Sequence, residues 1–174
     1  MTTERADLLD TLHKHRGLFR ATVHGITDDQ ARLRSTVSEL SLGGLVKHVA
    51  AMEKQWAGFV VDGPEDAPDI DWANVDWSNP PPEVAAYADG FRMLEGETLA
   101  GLLAEYDAVA AATDALVESV DLDGRQPLPA APWFEDGASW SARRVFVHLV
   151  AETAQHAGHA DIIREAIDGQ KSMG

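Results

Sequence analysis

Trp140–Gly169, WSARRVFVHLVAETAQHAGHADIIREAIDG, is a run in which His148, Glu152 and His156 recur every four residues and His159 follows three later. At about 100° per residue these four side chains fall within an arc of roughly 80° and form one stripe on a helix. Val145, Leu149 and Ile163 lie on that arc or beside it, while Arg143, Asp161 and Glu165 point largely the other way. The stripe is therefore expected in the apolar face of the last long helix. A carboxylate and imidazoles buried there are unfavourable by several kcal/mol unless something pairs with them. A hydrogen-bond network and a bound cation are the two explanations this leaves.

Working outward, the rest of the chain reads as helices too. Leu8, Leu12, Phe19 and Val23 share helical spacing over residues 3–24, with Thr2 or Thr3 to cap and Gly25 to stop. His13, His15 and His24 lie here, none in the middle of the apolar stripe, and no function is expected of them. Residues 26–41 read as a short helical turn opened by Thr27 and Asp28, then a connector ending at Ser41 as the next N-cap. From Leu42 to about Val61, Leu45, Val49, Met52, Trp56 and Phe59 trace one face with His48 near its middle. A third helix is expected from Pro82 or Glu83 to Val120, with breaks near Gly90 or Gly96 and with Glu95, Glu97, Glu105 and Asp107 on a solvated face. Ser139 or Ser141 then caps the last helix.

Two irregular connections separate these helices. Residues 62–83 are acidic and proline-rich, with Trp72 and Trp77 as anchors. Asp66, Asp69, Asp71 and Asp76 have the density of a calcium loop but lack the glycine and terminal glutamate of an EF-hand at the required offsets. In the second connection, 121–137, Arg125, Trp133 and Phe134 are candidates to border a pocket. Strand signal is slight and no internal repeat is present. The expected fold is all-α, a four-helix bundle with long connections, in one domain spanning residues 1–174.

Composition bounds the function classes. The net charge of −15 and pI near 4.6 oppose nucleic acid or an anionic membrane as partner, because the field repels phosphates. No apolar run approaches the roughly 20 residues of a membrane span. The opening MTTERADLL lacks a basic region and an apolar signal core, so the cytoplasm is the expected location. The absence of cysteine rules out a disulfide framework, thiolate ligands and a cysteine nucleophile; any thiol chemistry needs a thiol from outside.

In a four-helix bundle His48 could face the last helix. Glu152 and His156 can place an oxygen and a nitrogen on one ion, with His48 as third ligand, a set suited to zinc or another divalent metal with open positions. Alone, a histidine on an apolar face is more often a hydrogen-bonded core residue.

The pairing of SLGGLVKHVAAMEKQW with WSARRVFVHLVAETAQHAGHADIIREAIDG resembles the DinB superfamily, particularly its actinobacterial branch related to mycothiol-dependent enzymes. The resemblance implies a DinB-like four-helix bundle, frequently dimeric, with a metal site between the second and last helices. Mycothiol-dependent maleylpyruvate isomerase uses a His, Glu, His set, which by motif position implies His48, Glu152 and His156 as ligands. Many members have histidine where Glu152 stands, so this chain is similar to the isomerase-like branch. His159 is then a fourth ligand, a proton carrier with a catalytic role, or a hydrogen-bond partner, and His148 a supporting residue.

The function expected on this basis is divalent-metal-dependent activation of a low-molecular-weight thiol, mycothiol-like, for S-transfer or isomerisation. Zinc is the first choice of metal, then nickel or manganese, with a small-molecule substrate, mycothiol as cosubstrate and a homodimer as assembly. The alternatives are a hydrolase using metal-bound water and a non-catalytic, stress-related metal-binding protein.

Overall fold

Helix starts in this chain fall where a short polar side chain can hold the first free amides. Thr2, Thr27, Ser41, Thr98 and Ser141 each accept a hydrogen bond from the amide three residues on. The computed structural model describes residues 2–65, 74–76, 78–129 and 134–172. Its helices are α1 (Thr3–Ala21), α2 (Asp28–Arg32), α3 (Leu42–Asp62), α4 (Pro82–Asp89), α5 (Leu99–Ser119) and α6 (Ala142–Asp168), and its strands β1 (Arg125–Pro127) and β2 (Ser139–Ser141). Thr27 and Gln30 form a reciprocal capping box on α2. Asp66, Asp69, Asp71, Trp72, Trp77 and Trp133, all named above, lie outside the described residues.

The long helices α1, α3, α5 and α6 make the four-helix bundle. Helix α1 packs on α6 and α5, and α3 packs on α5 and α6, which closes the four into one ring around Leu12, Phe19, Leu45, Val49, Phe146 and Leu149. No helix of the described residues is long and apolar enough to cross a membrane.

The third helix is broken where expected, near Gly90 and Gly96: α4 stops at Gly90, and the chain turns through 90–98, with Gly96 at φ +89°, before Thr98 caps α5. One expectation about the connections needs correction. The second connection is not wholly irregular, since β1 and β2 pair antiparallel in the register Arg125↔Ser141 and lead straight into α6.

Of the acids expected on a solvated face, Glu95, Glu105 and Asp107 are exposed and Glu97 is half-buried, and two of them form ion pairs. Lys47 Nζ lies 2.7 Å from Glu97 Oε1, and Arg20 Nη1 lies 2.6 Å from Asp107 Oδ1. Deeper in the bundle, Glu53 is fully buried and accepts from Arg16 Nη2 at 2.5 Å and Nε at 3.2 Å, while Arg16 Nη1 reaches Asp114 Oδ1 at 2.8 Å. Arg164, also buried, donates to the carbonyls of Thr22 and His24 where α1 ends.

Candidate functional site

The stripe on α6 borders the apolar face instead of lying inside it. His148, Glu152 and His156 keep 21%, 28% and 13% of their side-chain surface exposed. Counted from His148 at about 100° per residue, the stripe occupies roughly 0–80°, whereas the buried Val145, Leu149, Thr153, Ala160 and Ile163 occupy roughly 60–140°. The two arcs overlap only at the edge, so the polar groups face the seam between α6 and α3 and remain open to solvent at one side.

Glu152 sits between two histidines of its own helix. Its Oε1 is 3.8 Å from His148 Nε2 and its Oε2 is 3.7 Å from His156 Nε2. Helix α3 brings His48 against this row: its ring meets that of His156 edge-on, with centroids 4.9 Å apart, and stacks on Phe91 at 4.4 Å and 25°. Burial pushes the His48, His148 and His156 imidazoles below their ordinary pKa. His156 adds to the effect at His48, Arg144 at His148 and His159 at His156, while Glu152 opposes all three shifts. The imidazoles are thus biased toward the neutral form, whose lone pair can take a cation.

His159 belongs to the same row, with its Nδ1 3.4 Å from His156 Nδ1. Only one of these nitrogens can carry the shared proton. If His156 carries it, His156 Nε2 is left as a lone pair facing Glu152, the arrangement by which a ligating histidine is usually held through its other nitrogen.

The upper wall of the site is aromatic. Trp56 of α3 stacks on Trp140 of β2 at 4.9 Å and 17°, and His148 stands edge-on to both at 5.0 and 5.1 Å. Phe134 meets Trp140 edge-on, and the Arg144 guanidinium lies 4.7 Å from the Trp140 ring centroid. Arg125 donates to Ser139 across the β ladder. On the other side of His48, a cavity of about 790 Å³ is lined by Met52, Gln55, Tyr87 and Phe91 with Lys54 and Glu105.

The fit of this donor set to a divalent ion can be tested on its geometry. Among the described residues no three His, Asp or Glu side chains are already gathered as a metal cage. Two ligands about 2.1 Å from a tetrahedral ion are roughly 3.4 Å apart; Glu152 Oε2 and His156 Nε2 stand 3.7 Å apart, and the Nδ1 atoms of His156 and His159 3.4 Å. By type the set fits: two imidazoles biased to neutrality and a carboxylate, half-buried with one side open. His48 and His156 are the residues brought together across helices; His148 faces the opposite oxygen of Glu152. His13, for which no function was expected, pairs with Asp114 far along the chain on α5.

Sequence reasoning missed Phe91, which lies in the α4–α5 connector with no periodicity to mark it. It also missed Glu53, although Glu53 stands four residues after Val49 on the apolar face of α3, a signal that was available. Trp56 was read as core and Trp140 only as the start of the last helical stretch; their stack depends on β2.

The bundle is all-α and of the DinB-like class. The family model described as mycothiol-S-transferase matches residues 7–169, and the chain belongs to that family, whose description indicates a mycothiol-related transferase with a small-molecule thiol as substrate. No curated protein matches the chain. Among solved structures it is similar to a conserved protein of Enterococcus faecalis, at 17% identity and a TM-score of 0.66, over 98% of this chain and 99% of that one. At that identity the likeness speaks for the fold.

Proposed function

We propose that this protein transfers a low-molecular-weight thiol of the mycothiol type to an electrophilic small molecule, or uses the thiol to isomerise one. In this reading a divalent ion, zinc before nickel or manganese, is held by His48, Glu152 and His156. The observation that carries it is the meeting of the His48 and His156 rings at 4.9 Å beside Glu152, in a chain of the mycothiol-S-transferase family. The ion would lower the pKa of a thiol brought to it and so supply thiolate at neutral pH.

The chain's own groups do the rest. His159 Nδ1 accepts from His156 Nδ1–H and so holds the His156 ring; when the two rings part, that nitrogen takes the thiol proton and passes it on to the displaced group. The sulfur lone pair forms the new bond to the acceptor carbon, and the displaced group leaves with the bonding pair or, in an isomerisation, the thiol is expelled again. The aromatic wall of Trp56 and Trp140 limits water at the upper side.

The test is metal content by elemental mass spectrometry on folded, tag-free parent, His48→Ala and Glu152→Ala, followed by thiol consumption with an electrophilic acceptor. Near-stoichiometric metal in the parent alone, with thiol-dependent turnover, supports the reading. A parent that takes up neither zinc, nickel nor manganese overturns it and leaves a hydrogen-bonded polar row. Turnover that ignores the thiol favours hydrolysis by bound water.

A further inference from the structure

We propose that Phe91 is a positioning residue for His48, and that the α4–α5 connector is latched onto the first turn of α3 so that Phe91 fixes the plane of the His48 ring. This rests on the reading of His48 as a ligand. The latch is legible in two glycines. A Cβ at Gly44 would stand 2.1 Å from the Phe91 carbonyl oxygen, and one at Gly43 would stand 2.6 Å from Met93 Sδ. The connector backbone therefore lies directly on the helix surface, at a distance only glycine admits.

Polar groups hold the connector at its far end. Lys47 Nζ pairs with Glu97 Oε1 at 2.7 Å, and Glu97 Oε2 accepts from the Leu94 amide at 2.6 Å. Arg32 of α2 donates to the Glu97 carbonyl, and Met93 is buried against the core. His48 is four residues beyond Gly44, hence on the same face one turn along. The backbone that touches Gly44 thus delivers its own Phe91 ring onto the imidazole, at 4.4 Å and 25°.

With Phe91 on its face and His156 at its edge, the His48 ring keeps one plane, and that plane decides where Nδ1 and Nε2 point. A leucine at 91 would fill volume without offering a flat surface; a tyrosine would preserve it. Partners that orient a metal-binding histidine commonly change metal affinity by about 10- to 100-fold when removed.

The test uses histidine-labelled, ion-free protein and then zinc titration, in the parent, Phe91→Leu and Phe91→Tyr, with melting temperatures alongside. In the parent and Phe91→Tyr the His48 ring protons should be displaced by the aromatic ring current, and in Phe91→Leu they should return to ordinary positions. Zinc affinity should fall about tenfold or more in Phe91→Leu and recover in Phe91→Tyr. Unchanged His48 signals in Phe91→Leu, or equal loss of affinity in both variants, overturns the proposal. Ring-current shifts in a parent that binds no zinc support the clamp and overturn the ligand reading instead. Gly44→Ala supplies a second route: its methyl displaces the connector while Phe91 itself is intact, and parent-like His48 signals in that variant overturn the latch.

Discussion

Arg16→Met should be among the most destabilising single substitutions in this protein, for reasons that the pairing geometry makes quantitative. Glu53 has no exposed surface and Arg16 has 5%, so deleting the guanidinium leaves a carboxylate in the bundle core with its hydrogen-bond donors removed. Breaking a buried pair in this way costs about 3–5 kcal/mol, on the order of 10 °C in melting temperature for a domain of this size. Glu53→Gln should be milder, about 1–3 kcal/mol, because the amide oxygen still accepts from Arg16 and Asp114 Oδ1, at 2.8 Å, still compensates its charge. The double variant Arg16→Met with Glu53→Met removes both charges into similar volume and should lie near the parent. Urea unfolding at pH 7, followed by far-UV circular dichroism with the slope checked for constancy, measures all three. If Arg16→Met fell within about 1 kcal/mol of the parent, or the double variant were no more stable than Arg16→Met alone, the reasoning would be refuted.

Further outcomes are expected. Gly17→Ala, where an added Cβ meets nothing within 4 Å, should stabilise α1 by about 0.5–1 kcal/mol in the same urea assay. Gly44→Ala should instead destabilise by about 1–3 kcal/mol through its clash with the Phe91 carbonyl. Arg143 hydrogen-bonds Glu4 and Asp123 and holds both carboxyls below their ordinary range. A lowered folded pKa gives stability that is present above the unfolded values of about 4 and lost as pH falls through the folded ones. The stability gap between parent and Arg143→Gln should accordingly close in acid titrations monitored by thermal unfolding. Zinc should raise the parent's melting temperature in proportion to the logarithm of its concentration above the dissociation constant, and the rise should vanish in His48→Ala; a variant that responded like the parent would remove His48 from the ligand set.

The helical architecture was open to reading because its signals are local. Thr2, Thr27, Ser41 and Ser141 cap where their side chains meet the next amides, and Gly90 and Gly96 bound the break between α4 and α5. The row His148, Glu152, His156 and His159 was visible for the same reason, since spacing on one helix fixes a shared face. Its depth was not: the buried apolar positions Ala142, Val145, Phe146, Leu149, Ala160 and Ile163 decide where the face is centred, and they leave the row at its edge, toward the α3 seam. His48 could be nominated but not aimed, because its ring plane depends on Phe91, delivered by a connector more than forty residues away in sequence. Arg16 and Glu53 could have been found, since each stands four residues after an apolar position, Leu12 and Val49; what the spacing cannot supply is that the two faces meet.

Trp56 and Trp140 carry a consequence of a different kind. One indole belongs to α3 and the other to the residue pair that precedes α6, and they overlap face to face at 4.9 Å and 17° with His148 against both edges. Stacked indoles couple their electronic transitions, and a protonated imidazole at the edge quenches their emission. The seam that holds His48 and Glu152 therefore has an optical gauge beside it: near-ultraviolet dichroism registers whether α3 and β2, the strand leading into α6, are in contact, and fluorescence registers the charge on His148, without any label added.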